Sequence, residues 1–451
     1  ELKRLMKEFE KELAVLRGRV DGLEAKVGEL EASQFSTTTK LQGDAVFVLG
    51  APSFGGSQDA PSTARGAGSA NSNRYAATNR ENWGATTFNY DVRLNLNTSF
   101  TGKDLLYTRL RAGNFANSAF NGNPYNLMAL DRAYSANNQN DVVAIDRLYY
   151  RFPIGSSFTA LIGAKARNTE FLAIRPSFYD AGILDVFTLN GAPATYNKAT
   201  GAAAGLMWKQ NVKKGKPFLA ASTSYVAPRA DNGNPNEGGI FNDASGGSFT
   251  TQIGVAAPQW SLAAAWRYGQ CADNMTRRGT QFARQTLDCS WTVDNAANNG
   301  GSAYSNNFAF TAAWQPAKGG SLIPSISAGY GFSTINQADY VLPPNYGSKD
   351  NIKGTQSWTV GLQWKDAFAK GNALGMAVGQ PTFVTSLENN DGFSGPNDGN
   401  YAWEWWYKFQ VTDNISVTPA LFYLSRPNGQ YTANGETNSV FGGLIQTQFR
   451  F

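Results

Sequence analysis

Over the first 33 residues the apolar positions Leu2, Met6, Phe9, Leu13, Leu16, Val20, Leu23, Val27 and Leu30 follow one another at alternating spacings of 4 and 3. A stripe two positions wide per heptad is the a/d seam of a supercoiled helix, and it suits such a seam better than a helix laid on its own globular core. With Met6, Leu13, Val20 and Val27 at a, the pairs Glu12 with Arg17, Arg19 with Glu24 and Lys26 with Glu31 fall at g and the following e. All are opposite in sign, which favours parallel, in-register helices. Residues 1–33 are therefore expected to form a parallel homo-oligomeric coiled coil, and the mixture at a and d does not separate dimer from trimer. Gly18, Gly22 and Gly28 lie off the seam, where they weaken the helix without opening its contact.

Near residue 34 the period changes from 3.5 to 2. Tyr90, Val92, Leu94, Leu96 and Phe100 alternate with Asp91, Arg93, Asn95 and Asn97, and the same dyad returns in Phe308 to Trp314, Trp358 to Trp364, Trp403 to Val411 and Phe441 to Phe451. Each segment has roughly the 9 to 11 residues that a tilted strand needs to cross a bilayer. Strands are expected from about residues 36, 87, 105, 141, 158, 202, 218, 248, 260, 304, 322, 355, 372, 401, 414 and 439, sixteen in all. Brief connectors at 101–104, 212–217, 258–259 and 317–321 alternate with long polar ones at 51–86, 117–140, 168–200 and 271–303. An even strand count with short turns on one side and long loops on the other is the pattern of an outer-membrane barrel, with both chain ends in the periplasm. Trp208, Trp266, Trp314, Trp364 and Trp405 fall on the apolar phase, as interfacial girdle residues would. A soluble two-sheet sandwich would have to bury them. The expected fold is all-β: a 16-stranded antiparallel transmembrane barrel at 34–451 behind a coiled coil at 1–33.

Composition removes the competing classes. No stretch of the 451 residues approaches the ~18 consecutive apolar positions of a spanning helix. The chain has no His, which excludes Ser-His-Asp and Cys-His centres and His-ligated zinc. Only 16% of residues are charged, and after residues 1–33 the remainder holds 32 Lys/Arg against 26 Asp/Glu, a small excess for binding nucleic acid. Cys271 and Cys289 are the only cysteines, too few for a thiolate cage, and a disulfide between them would stiffen an external connector by roughly 3 kcal/mol in an oxidising compartment. Two free thiols are the alternative. Asn389, Asn390, Asp391, Asn397 and Asp398 lack the spacing of a calcium loop and read as a solvated connector. The chain opens inside the heptads with no signal peptide, so it reads as a mature or trimmed product whose beginning is missing.

A charged heptad helix feeding a Gly/Asn-rich sixteen-strand pattern, opening with Phe35 to Gly50 (FSTTTKLQGDAVFVLG) and closing on SVFGGLIQTQFRF, resembles the cyanobacterial outer-membrane porins of the Som type. These look like distant relatives of the carbohydrate-selective porins. The junction at Gln34 to Gly50 is the most specific part, and the terminal Phe451 is a weaker, general feature of outer-membrane proteins. The resemblance implies a trimer that lets small hydrophilic solutes and inorganic ions diffuse passively. It also implies a preceding surface-layer-homology domain, absent from this sequence, that would bind peptidoglycan-linked polymer. This chain would then comprise the periplasmic spacer and the pore.

Phase assigns the walls. Opposite the apolar residues stand Arg93, Arg109, Arg111, Arg147, Arg151, Lys165 and Arg167, an expected basic wall on four neighbouring strands. Arginine suits this place because it does not titrate away and its planar fork can hold carboxylate or phosphate. The alternative is that several face the headgroup rim or a subunit contact. The connector 168–201 is apolar (FLAIRPSFYDAGILDVF) and carries Glu170, Asp180 and Asp185. Folded into the lumen, it would pack Phe171, Leu172, Ile174, Phe178, Ile183, Leu184 and Phe187 on the wall and face its carboxylates to the arginines, forming a constriction with a transverse field. Covering a trimer contact is its other reading. The expected function is a non-enzymatic, cofactor-free porin lying among outer-membrane lipids, with no nucleic-acid partner; the alternative is a tether between outer membrane and cell wall with a largely closed barrel.

Overall fold

The computed structural model describes residues 38–58, 75–180, 182–235, 237–270, 275–285, 304–320, 322–336, 352–387, 396–432 and 435–451, together with 3, 4, 9, 10, 12 and 14–22 near the start. Sixteen strands form one closed antiparallel barrel in which each pairs with its sequence neighbours and the first closes on the last. They are β1 (Thr39–Gly55), β2 (Thr87–Thr98), β3 (Leu105–Gly113), β4 (Ala144–Ile154), β5 (Phe158–Arg167), β6 (Thr200–Lys209), β7 (Phe218–Ala227) and β8 (Ser248–Ala257). β9 (Trp260–Gln270), β10 (Tyr304–Trp314), β11 (Ser325–Asn336), β12 (Ile352–Lys365), β13 (Ala373–Leu387), β14 (Tyr401–Gln410), β15 (Ile415–Ser425) and β16 (Ser439–Arg450) complete it. Closure satisfies every strand edge, which is what lets a sheet span a bilayer. The β1–β16 seam runs from Asp44 opposite Arg450 to Gly55 opposite Ser439.

The two faces follow the dyad. Leu49, Phe88, Ile162, Ile253, Phe310, Trp314 and Leu421 are exposed on the outside, whereas Asp91, Thr250, Gln252, Ser327 and Gln363 are buried on the inside. Part of the inner face is apolar as well: Val46, Val48, Phe422, Leu424, Val440 and Leu444 pack against Leu127, Met128, Ile183, Leu184 and Phe187 from two inward loops. This explains why the AVFVLG run of β1 does not alternate. Both of its faces are covered, one by lipid and one by loop.

Register shifts occur beside Arg109/Leu110 on β3, Leu148/Tyr149 on β4 and between Gly163 and Ala166 on β5. Bulges re-aim side chains, and these three lie together on the wall that carries the arginines. At the other end of the chain, residues 14–22 are helical, with Leu16 57% and Val20 46% exposed. The heptad positions Leu2, Met6, Leu13, Leu23, Val27 and Leu30 and the flanking Glu24, Lys26 and Glu31 lie outside the described residues, as do Cys271, Cys289, Asn389, Asn390 and Asp391.

Candidate pore constriction

Loop L3 (168–199), between β5 and β6, does not leave the barrel. It crosses the interior and is tied to inward side chains of distant strands. The Ile174 N–H donates to Gln252 Oε1 on β8 (3.0 Å), Phe178 N–H to Ser327 Oγ on β11 (2.9 Å), and Asp180 N–H to Gln363 Oε1 on β12 (2.9 Å). On β14 the buried Glu404 accepts from Tyr179 Oη (2.7 Å) and from Leu184 N–H (2.9 Å), while Trp406 Nε1 donates to Tyr179 Oη (2.9 Å). Ser357 Oγ of β12 donates to the Gly191 carbonyl (2.9 Å), and Arg267 Nε of β9 to that of Ala194 (2.6 Å). A loop in bulk water would leave its apolar residues wet; here Phe171, Ile174, Ile183, Leu184 and Phe187 are all buried.

Backbone approach allows this. Gly329, on the inward phase of β11, lies so close to L3 that a Cβ there would stand 1.9 Å from the Asn190 carbonyl oxygen. Gly191 has φ +74° and would meet the Gly329 carbonyl at 2.3 Å. Glycine at both positions gives the contact no Cβ to clash and permits the left-handed turn.

The arginine wall stands on the opposite side and is laced with carboxylates. Asp91 lies 2.9 Å from Arg93 and 2.6 Å from Arg111. Arg132, from loop L2 (114–143), pairs with Asp44 and lies 3.7 Å from Asp91. Asp146 is 3.5 Å from Arg109 and 3.1 Å from Arg147, and Arg147 Nε donates to Glu170 Oε1 (2.7 Å). Arg111 also lies over the Tyr134 ring, 4.2 Å from its centroid.

L2 and L5 (271–303) complete the arrangement. L2 pairs with L3 through Asp185 N–H to the Ala129 carbonyl (2.9 Å) and Asp131 N–H to that of Ile183 (2.8 Å). The described part of L5, 275–285, reaches from β9 across to β13, where Thr280 N–H donates to the Thr382 carbonyl (3.0 Å), and to L2, where Gln281 Nε2 donates to that of Pro124 (2.7 Å). L5 brings Arg277 and Arg278 to Asp185, each with Nε 2.6 Å from Oδ2, while Lys198 Nζ lies 2.5 Å from Oδ1 and 2.8 Å from Asp131. Burial opposes ionisation of Asp185, yet Arg277, Lys198 and Arg278 hold its carboxyl well below the usual carboxylate range. Three loops from different strand pairs thus meet at Asp185, L3 and L5 through its carboxylate and L2 through its backbone N–H.

A barrel crossed by a loop that faces a charged wall narrows without closing its ladder. The family model for carbohydrate-selective porins of the OprB family matches residues 1–451. The chain belongs to the OprB family. Two curated relatives are cyanobacterial proteins described as uncharacterized: one from Nostoc is 31% identical, covering all of this chain and 72% of the relative, and one from Synechocystis is 27% identical, covering 100% and 76%. The high-pH structure of Pseudomonas putida OprB is similar in fold, with a TM-score of 0.51 at 12% identity over 92% of this chain and 94% of that one. Family and fold make this protein an outer-membrane porin.

Within this OprB-family barrel the basic residues expected from phase divide. Arg93, Arg109, Arg111 and Arg147 converge with their carboxylates, and Arg167 stands at the outer end of β5 beside Glu170, whose Oε2 accepts its N–H (3.0 Å). Arg151 is exposed near the short-turn end, opposite Leu161. Lys165 is exposed and paired in register with Leu148, which is on the outer phase, because the β5 bulge interrupts the alternation. Of the three loop carboxylates, Glu170 meets the wall through Arg147, and Asp185 meets L5 and Lys198 instead. Asp180 stays outside the cluster, 74% exposed and 3.4 Å from Arg175, itself 62% exposed.

Strict alternation hides Asp146. Arg109 pairs with Arg147 and Leu110 with Ile145, which leaves Asp146 in the bulge and buried among the arginines. Asp91 stands on the polar phase of the Tyr90 to Asn97 dyad on β2, whereas Asp44 on β1 was not singled out. Arg132, Lys198, Arg277, Arg278 and Glu404 carried no local signal, since their roles come from loops meeting across the barrel.

Proposed function

We propose that the protein is a trimeric diffusion porin that passes small hydrophilic solutes and inorganic ions, anions ahead of cations, through an eyelet between L3 and the arginines of β2–β4. The surplus of cations there carries this reading. Arg93, Arg109, Arg111, Arg132, Arg147, Arg167, Lys198, Arg277 and Arg278 stand against Asp44, Asp91, Asp131, Asp146, Asp185 and Glu170. Nine positive groups against six negative ones leave a positive field, which a low-dielectric wall focuses on the water path.

The outer face supports self-association on one sector. β16 and β1–β5 contain no Trp, whereas Trp208, Trp260, Trp266, Trp314, Trp358, Trp364, Trp403 and Trp405 decorate β6, β9, β10, β12 and β14. Interfacial Trp belongs where lipid headgroups are met, so the bare sector suits a protein neighbour. β1 lies in that sector, and the helix at 14–22 precedes it with Leu16 and Val20 uncovered, as a parallel coiled coil on the trimer axis would require. Residues 1–33 are then a periplasmic spacer and 34–451 the pore.

Single-channel recording in planar bilayers under a salt gradient tests the reading. Conductance in steps of three with a reversal potential of anion-selective sign is expected. Cation selectivity would show that the carboxylates control the narrowest section, and no conductance from the folded trimer would replace the porin with a membrane-to-wall tether.

A further inference from the structure

Among the eyelet cations, Arg167 has a guanidinium nitrogen without a partner and, unlike Arg93, is in no ion pair among the described residues. Its Nε is buried without a hydrogen-bond partner among the described residues. The adjacent Glu170 is already used: Oε1 accepts from Arg147 Nε (2.7 Å) and Oε2 from the Arg167 backbone N–H (3.0 Å). Arg167 pairs in register with Thr200 on β6, two residues after Lys198, and Lys198 and Arg277 both reach Asp185. Arg277, delivered by L5, is held at Asp185 through Nε (2.6 Å) and keeps its side chain 30% exposed, which leaves its fork accessible to a solute.

A guanidinium with a buried, unpartnered Nε among further cations is unfavourable unless an anion joins it. Two planar forks from different elements match the edges of a tetrahedral oxyanion, to which each can donate two parallel N–H bonds; a spherical halide uses that geometry poorly. We propose that Arg167 and Arg277 bind a tetrahedral oxyanion of the phosphate or sulfate kind at the long-loop side of the eyelet, so that the path has a saturable site. This rests on the anion-porin reading above and specifies its solute class.

The test uses the intact 451-residue chain, purified in detergent and in bilayers, with inorganic phosphate as the probe. Calorimetric titration at constant chloride should show saturable binding, and phosphate should reduce the chloride current over the same concentration range. Arg167→Gln and Arg277→Gln should each raise the half-saturating concentration about tenfold, equal to about 1.4 kcal/mol, with Arg229→Gln in the external loop 228–247 unchanged. Heat-modifiable migration on gels confirms that each variant is a folded barrel. Absence of saturable binding, or wild-type binding in both variants, overturns the site. Binding that leaves the chloride current untouched removes it from the path. Binding by a barrel that conducts nothing keeps the site and sinks the diffusion reading.

Discussion

Gly329→Ala tests whether L3 sets the open width. The substitution adds one methyl group at the inward face of β11, 1.9 Å from the Asn190 carbonyl oxygen. Since real contacts of this kind essentially never fall below 3.0 Å, the two backbones must separate by at least about 1.1 Å. The strand cannot yield easily, because β11 is paired to β10 from Ile326 through Asn336 and to β12 over Ser325 to Thr334. Among the described residues the bonds that hold L3 nearest this contact are Ser357 Oγ to the Gly191 carbonyl and Arg267 Nε to that of Ala194, fewer than the strand ladder, so the loop moves. It moves off the far wall toward the arginines. Overpacking of this size costs about 1–3 kcal/mol. The expected outcome is a folded barrel with a lower melting temperature, smaller unitary conductance and more open-channel noise. Gly443→Ala on the outward face, where the added Cβ would meet Leu421 at an ordinary 3.4 Å, should change neither conductance nor noise. Wild-type conductance in a folded Gly329→Ala barrel would refute the placement of the path between L3 and the arginine wall.

Other perturbations address the remaining contacts. Asp185→Asn strips the shared carboxylate from Lys198, Arg277 and Arg278 and should cost about 3–5 kcal/mol, as breaking a buried pair does, while the reversal potential shifts further toward anion selectivity; a shift toward cations would contradict the assigned field. Tyr179→Phe removes the donor to Glu404 and the acceptor for Trp406, so thermal unfolding in detergent should reveal a loss of roughly 1–3 kcal/mol. Asp398, in the connector before β14, is raised by burial to about 7 against three donors: Thr280 Oγ1, Val384 N–H and Gln430 N–H. The folded state therefore keeps a proton that the unfolded chain releases from about pH 4. Its contribution to stability is full below that value and lost as pH rises through about 7. Melting temperatures at pH 5 and 8 should differ less in Asp398→Asn than in the wild type, and equal differences would exclude this group as the source.

The barrel was legible because each strand is judged by a rule that acts locally. A residue facing lipid must be apolar and its neighbour facing water need not be, so the dyad from Tyr90 to Asn97 states its own orientation, and expected strand starts fall within three residues of those found. In the structure Arg93, Arg109, Arg111 and Arg147 share the inner wall with Asp146, whereas Lys165 lies across from Leu148; Asp146 and Lys165 sit at bulges, where one inserted residue reverses phase and nothing in the composition marks it. The apolar composition of 168–201 likewise announced that L3 must be covered, without saying by which strands. Contacts such as Glu404 with Tyr179, separated by 225 positions, depend on closure of the whole barrel. This division has a functional consequence. The scaffold is specified by periodicity that many sequences satisfy, whereas the field in the eyelet depends on which loop charges meet, and a single substitution at Asp185 or Arg277 changes that field without disturbing a strand. On the proposed reading, solute preference in such a barrel can therefore change while the fold stays constant, through the charges of L2, L3 and L5 that meet the arginines of β2–β4.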